Sequence, residues 1–213
     1  MFDGNPNYGT YYDVLHAVEK NKLNINKITP AILELANEYE YTVAHLLASH
    51  HKLPVKFITP NVLKMADHKG WTVAHILAVG GKIPEEFMTL DVLKLADEDG
   101  RTVAHVMAKN RVLPKKLMVL NVLKLADKDG WTVAHELAEI ERLPEEVITP
   151  EILKLATNTG LTVAHVMALI GRFPRDFMTP SILKLEDNDG RTVAQELAEQ
   201  SLLPKEFRYL IEK

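Results

Sequence analysis

The chain has no cysteine in its 213 residues. Disulfides and thiolate zinc sites are thereby excluded, and the redox compartment is left open. No run of about 18 apolar residues occurs, so no membrane-spanning helix is expected. The opening Met1-Phe2-Asp3-Gly4-Asn5-Pro6 lacks the basic and then apolar blocks of a secretion signal, which makes a cytoplasmic location the expectation. Positive charge is not in excess. The formal net charge of −4 argues against general attraction to nucleic acid or an anionic membrane. No glycine-rich phosphate loop appears, and no set of nucleophile, base and oxyanion donors converges. Neither an enzyme nor a bound cofactor is expected.

What remains is a composition ordinary for a folded protein, 46% hydrophobic and 25% charged, arranged in a repeat. Thr-Val-Ala recurs every 30 residues, at Thr42, Thr72, Thr102, Thr132, Thr162 and Thr192. His follows at His45, His75, His105, His135 and His165, and Gln195 takes the sixth place. Self-similarity at such a period marks a solenoid, in which each unit buries its apolar face only against its neighbours.

Six units begin near Asn37, Asp67, Asp97, Asp127, Thr157 and Asp187, and share one grammar. An Asp-x-Asp-Gly type turn comes first, its glycine supplying positive φ. The Thr is a helix N-cap, and the His three residues on reaches back to it in a variant of the capping box. A helix with small, closely approaching residues follows, as in Ala74, Leu77 and Ala78 or Ala104, Met107 and Ala108. It is expected to stop at Leu53-Pro54, Ile83-Pro84, Leu113-Pro114, Leu143-Pro144, Phe173-Pro174 or Leu203-Pro204. A link then carries one large anchor, Phe57, Phe87, Leu117, Val147, Phe177 or Phe207. A second helix opens at Thr59-Pro60, Thr149-Pro150 or Thr179-Pro180, cap followed by proline at the first helical position. Thr89-Leu90 and Val119-Leu120 depart from that start, which predicts slightly frayed second helices there.

The expected fold is all-α, a solenoid of about seven stacked helix-turn-helix repeats with degenerate terminal caps. Residues 1–36 form an N-terminal lead-in, loose to residue 10, and a capping repeat in which Leu15 stands where the His should be. Residues 37–202 are a six-repeat array, and residues 203–213 are a C-terminal cap.

Asp127-x-x-Gly130-x-Thr132-x-x-His135-x-x-Ala138 resembles an ankyrin repeat, as does the spacing of Asp67, Gly70, Thr72, His75, Ala78 and Gly81. The likeness spans about residues 37 to 200. The departures are Thr-Val-Ala-His for the family's Thr-Pro-Leu-His, 30 residues for the usual length of about 33, and the Leu-Pro and second Thr-Pro steps. The second helix is expected to run straight into the next turn, which leaves the presence of the family's projecting hairpin fingers open. The resemblance implies a protein-binding module whose exposed concave side meets partners.

Recurring columns are read against plainer alternatives. Equivalent residues in stacked layers lie about 8–10 Å apart, whereas zinc needs several ligands at about 2.0–2.3 Å. The histidines are therefore read, with Thr42, Thr72, Thr102, Thr132 and Thr162, as a structural hydrogen-bond ladder, and no metal is expected. His50, His51 and His68 are surface residues. The lysines at 64, 94, 124, 154 and 184 are read as i,i+3 partners of the following aspartates rather than a phosphate stripe. Asp99, Asp129 and Asp189 are turn residues, the alternative being phosphate mimicry.

One position between fixed neighbours varies: Tyr41, Trp71, Arg101, Trp131, Leu161 and Arg191. Trp, Tyr and Arg are types enriched in interface hot spots. The variable helix positions Val79, Lys109, Glu139, Leu169 and Glu199 flank it. The leading expectation is a non-enzymatic adaptor or inhibitor, a monomer binding an unidentified protein partner through this column. The alternatives are a self-assembling structural protein and an acidic inhibitor that mimics nucleic acid. The bland alternative for the aromatics is packing on the next turn. Trp71→Ala or Trp131→Ala is expected to weaken a complex without changing the melting behaviour.

Overall fold

The computed structural model describes residues 8–212; the earlier part of the expected lead-in lies outside them. The chain divides into two compact units, Met1–Glu98 and Asp99–Lys213. The first holds α1 (Tyr11–Glu19), α2 (Pro30–Leu33), α3 (Val43–Ser49), α4 (Pro60–Leu63), α5 (Val73–Val79) and α6 (Leu90–Leu93). The second holds α7 (Val103–Lys109), α8 (Leu120–Leu123), α9 (Val133–Glu139), α10 (Pro150–Leu153), α11 (Val163–Leu169), α12 (Pro180–Leu183) and α13 (Val193–Glu199). Each repeat but the last is thus a two-turn helix followed by a one-turn helix; after α13 comes a 3-10 segment, Lys205–Leu210. Repeats stack in series within each unit: α3 packs between α1 and α5, and α9 and α11 pack in turn between α7 and α13. The architecture is an all-α solenoid.

The long helices contribute Val, Ala, Leu or Met and Ala to the core. In α9 these are Val133, Ala134, Leu137 and Ala138, all at most 2% exposed. Each short helix adds one buried leucine, such as Leu63, Leu123 or Leu153. Burying a leucine stabilises by about 1.5–3 kcal/mol, so a one-turn helix persists through its leucine rather than its own hydrogen bonds.

The helix ends differ from the sequence expectation. The long helices stop several residues before the Leu-Pro step, in Schellman turns. In α9, Glu141 N–H donates to the Ala138 carbonyl at 2.9 Å and Arg142 N–H to the Leu137 carbonyl at 2.7 Å. The left-handed residue is glycine at Gly81 and Gly171, but Asn21, His51, Arg111, Glu141 and Ser201 elsewhere. The link behind the proline is a 3-10 turn, Glu145–Val147 in that repeat. Its expected anchor, Val147, is only half-buried, and the next residue, Ile148, is the buried one. The helices α6 and α8 lack a side-chain cap. They nonetheless reach the same four residues as the Thr-Pro helices, a correction to the expected fraying. Val92 and Leu93, and Val122 and Leu123, supply the burial that holds them.

The first repeat is also shifted from its expected register. Its N-cap is Thr10, and Asp13 completes a capping box, its carboxylate accepting from Thr10 N–H at 2.8 Å. The role of the repeating His thus falls to Asp13, two residues before Leu15.

Candidate protein-binding surface

The site is built on the turn that enters each long helix. Asp127 Oδ1 accepts from Asp129 N–H at 3.0 Å and Trp131 N–H at 2.8 Å, folding the turn around a carboxylate. Asp67 does the same for Trp71, and Asn37 for Tyr41. The aspartates are therefore engaged in their turns. Lys124, expected to pair with Asp127, instead meets Glu151 of the following repeat at 3.2 Å. Single antiparallel bridges such as Ala126 to Thr132 close the turns, and no named strand forms among the described residues. Successive turns also touch: Lys128 N–H donates to the Asp99 carbonyl at 3.0 Å and Asn158 N–H to the Asp129 carbonyl at 2.8 Å. Gly130, at φ 78°, lies where an added Cβ would stand 2.8 Å from Asn158 N.

The next layer is the Thr-His pair. His135 Nδ1 accepts from Thr132 N–H at 3.2 Å and lies 2.7 Å from Thr132 Oγ1. Its Nε2 sits 3.1 Å from the Leu161 carbonyl of the next repeat. A backbone N–H only donates and a carbonyl only accepts. The ring is therefore neutral, with its hydrogen on Nε2. His105 reaches the Trp131 carbonyl and His165 the Arg191 carbonyl in the same way, and in the first unit His45 reaches that of Trp71. Burial pushes the His45 imidazole below its usual range, and that of His135 down to about 4. Gln195 keeps half of this arrangement: its Oε1 accepts from Thr192 N–H at 2.8 Å. Outside the ladder, His50 Nδ1 lies 2.9 Å from the Leu46 carbonyl and His68 Nδ1 lies 3.0 Å from that of Tyr39.

The variable side chains stand on this framework. In the first unit the Trp71 ring stacks on His75, centroids 4.7 Å apart, and Tyr41 lies over His45 at 5.0 Å. In the second unit Trp131 lies over His135 at 5.1 Å. The aromatics rest on the imidazole of their own repeat. Trp71, Trp131, Leu161 and Arg191 remain half-exposed, and Arg101 is exposed. The flanking Val79, Lys109, Glu139, Leu169 and Glu199 are exposed, Val79 by 50% and Leu169 by 43%.

One further column was missed: Leu46, Ile76, Val106, Glu136, Val166 and Glu196, variable like the other two. Glu136 and Glu196 are buried at 8% and 4% exposure. Burial raises the Glu136 carboxyl above its usual range, opposed by Lys109, by a hydrogen bond from the Trp131 indole and by Arg101. Glu196 is paired with Arg191, whose Nη2 donates to it at 3.0 Å. The signal was the alternation of Glu with Val at one helical position.

The ankyrin repeat domain of Bcl-3, described as a unique member of the IkappaB protein family, superposes on 87% of this chain and 86% of its own, with a TM-score of 0.53 and 15% identity. The fold is ankyrin-like. A chain from the complex of Bd0816, a predatory endopeptidase from Bdellovibrio bacteriovorus, with immunity protein Bd3460 superposes on 78% of this chain and 93% of its own, with a TM-score of 0.53 and 19% identity. No protein-family model and no curated protein sequence matches the chain. The ankyrin-like repeats here keep the turn, cap and imidazole bridge while each repeat carries its own exposed side chains. No helix among the described residues is long and apolar enough to cross a membrane.

Proposed function

We propose that the chain is a non-enzymatic protein-binding module, acting as an adaptor or as an inhibitor that covers its target. In the first unit the contact residues are Tyr41, Trp71 and Val79. In the second they are Arg101, Lys109, Trp131, Glu139, Leu161, Leu169, Arg191 and Glu199. The observation that carries this reading is the mounting of large variable side chains on a fixed imidazole framework. Trp71 stacks on His75 and Trp131 lies tilted over His135, yet both stay half-exposed. A rigid, preorganised aromatic loses little ordering entropy on binding. One similar solved structure is itself a complex of two proteins.

Leucine already occupies this place at Leu161, so Trp71→Leu and Trp131→Leu are compatible with the fold. Each is expected to weaken a captured partner's binding by roughly tenfold or more, about 1.4 kcal/mol per tenfold. The melting temperature should fall only slightly for Trp71→Leu, by the loss of ring stacking worth about 0.5–1.5 kcal/mol. It should fall further for Trp131→Leu, which also strips an indole hydrogen bond from the buried Glu136. Affinity measured on the native-lysate partner, with circular dichroism alongside, checks both. Unchanged affinity for both variants would remove the aromatic column from the interface.

A further inference from the structure

Residues 127–139 and 187–199 are near copies, differing only at Lys128/Asn188, Trp131/Arg191 and His135/Gln195. Both repeats present two glutamates three residues apart on the long helix, Glu136 and Glu139 in α9, Glu196 and Glu199 in α13. In both, the first glutamate is buried and the second exposed. In the α13 repeat this pair is occupied. The Arg191 guanidinium bonds to the Glu196 carboxylate and to the Glu199 carboxylate. In the α9 repeat Trp131 replaces that arginine.

An acidic pair by itself specifies nothing. Here the same pair, on the same helix position sixty residues on, is seen holding a guanidinium. Trp131 adds an indole over His135 with its N–H hydrogen-bonded to Glu136, and the indole ring is a surface on which a guanidinium stacks. We propose that Trp131, Glu136 and Glu139 form a recognition site for an arginine side chain of the partner protein, its guanidinium meeting the carboxylates of the α9 pair beside the Trp131 ring. The site deepens the protein-binding reading above and rests on it. Lys109 and Arg101 of the preceding repeat are the cations within electrostatic reach of Glu136. Both are exposed, and Arg101 reaches Asp99 at 3.6 Å, so an incoming guanidinium competes with long surface side chains and with the Trp131 indole N–H on Glu136, and not with a buried ion pair. A planar guanidinium suits two carboxylates and an aromatic face better than a compact ammonium does.

The chain contains two tryptophans, so two indole N–H signals serve as site probe and internal control. The full chain is titrated with N-acetyl-arginine methylamide and, separately, with the lysine analogue. The Trp131 indole and the α9 amides are expected to shift and saturate in the millimolar range with arginine. The Trp71 indole should stay put, and lysine should bind more weakly. Glu136→Gln should weaken the arginine response about tenfold or more, since a charge-assisted hydrogen bond is lost. Its fold is safe, because Val106 and Val166 occupy the same place elsewhere. Trp131→Arg should fill the site from within and abolish the α9 response. Arg191→Trp should open a second site on α13. Equal shifts at both indoles, an equal response to lysine, or an unchanged response in Glu136→Gln would overturn the proposal. If the arginine probe fails while Trp131→Leu still weakens the partner complex, the arginine site alone falls. If the probe binds but the complex ignores Trp71→Leu and Trp131→Leu, the column reading above falls.

Discussion

His135 uses both ring nitrogens on backbone atoms, one in its own repeat and one in the next. Protonation would set an Nδ1–H against the Thr132 N–H, donor against donor, inside a fully buried site. Its depressed pKa of about 4 follows from burial. The folded ring stays neutral while the unfolded ring, near 6.5, takes up a proton. The stabilisation is therefore fully present above about pH 6.5 and is lost as pH falls toward 4. For His135 alone the linkage amounts to about 3 kcal/mol, and His45, shifted in the same direction, adds to it. Urea midpoints measured from pH 7 to pH 4 should fall steadily, and a flat profile would contradict the neutral-ring assignment. His135→Leu should cost about 2–3 kcal/mol at pH 7 by stranding the Thr132 N–H and the Leu161 carbonyl. It should also flatten part of that pH slope.

At the scale of elements, the turn glycine is the most exacting position. Gly130→Ala meets both a left-handed backbone and the Asn158 backbone at 2.8 Å, whereas Gly190 has nothing within 4 Å. Gly190→Ala should cost about 1–2 kcal/mol from backbone strain alone. Gly130→Ala should cost about 1–3 kcal/mol more through overpacking. Glu40 holds the equivalent place with φ 59°, so Glu40→Gly should stabilise by about 1 kcal/mol. Thermal melts of the three variants rank these effects. The turn, the Thr cap and the first helix were legible in the sequence because each is decided by chemistry within a few residues, as in Asp127 to His135. The Schellman ends at His51, Arg111 and Glu141 were not, because the left-handed bend there is imposed by packing on residues with no glycine to signal it. The burial of Glu136 and Glu196 was hidden for a related reason. It depends on how neighbouring side chains cover the helix, and no local pattern encodes that cover. The aromatic column was found through its variation, but its seat on the imidazoles follows only from the three-dimensional turn.

For the whole molecule, the self-assembling alternative makes a simple opposing claim. Light scattering on the purified chain is expected to give a monomer of 24.0 kDa, and a stable dimer would favour self-assembly over adaptor or inhibitor roles. The nucleic-acid mimic would have to place its carboxylates on an outward face. Asp67 and Asp127 turn inward on their own amides, so such a role would fall to the exposed Asp99, Asp129 and Asp189. A last consequence comes from what the imidazoles grip. His45, His105, His135 and His165 hold the main chain of Trp71, Trp131, Leu161 and Arg191, and make no demand on the identity of those residues. On the proposed binding role, scaffold and specificity would therefore be written in separate atoms, and rewriting one side chain per repeat would redirect the surface with the architecture beneath left as it stands.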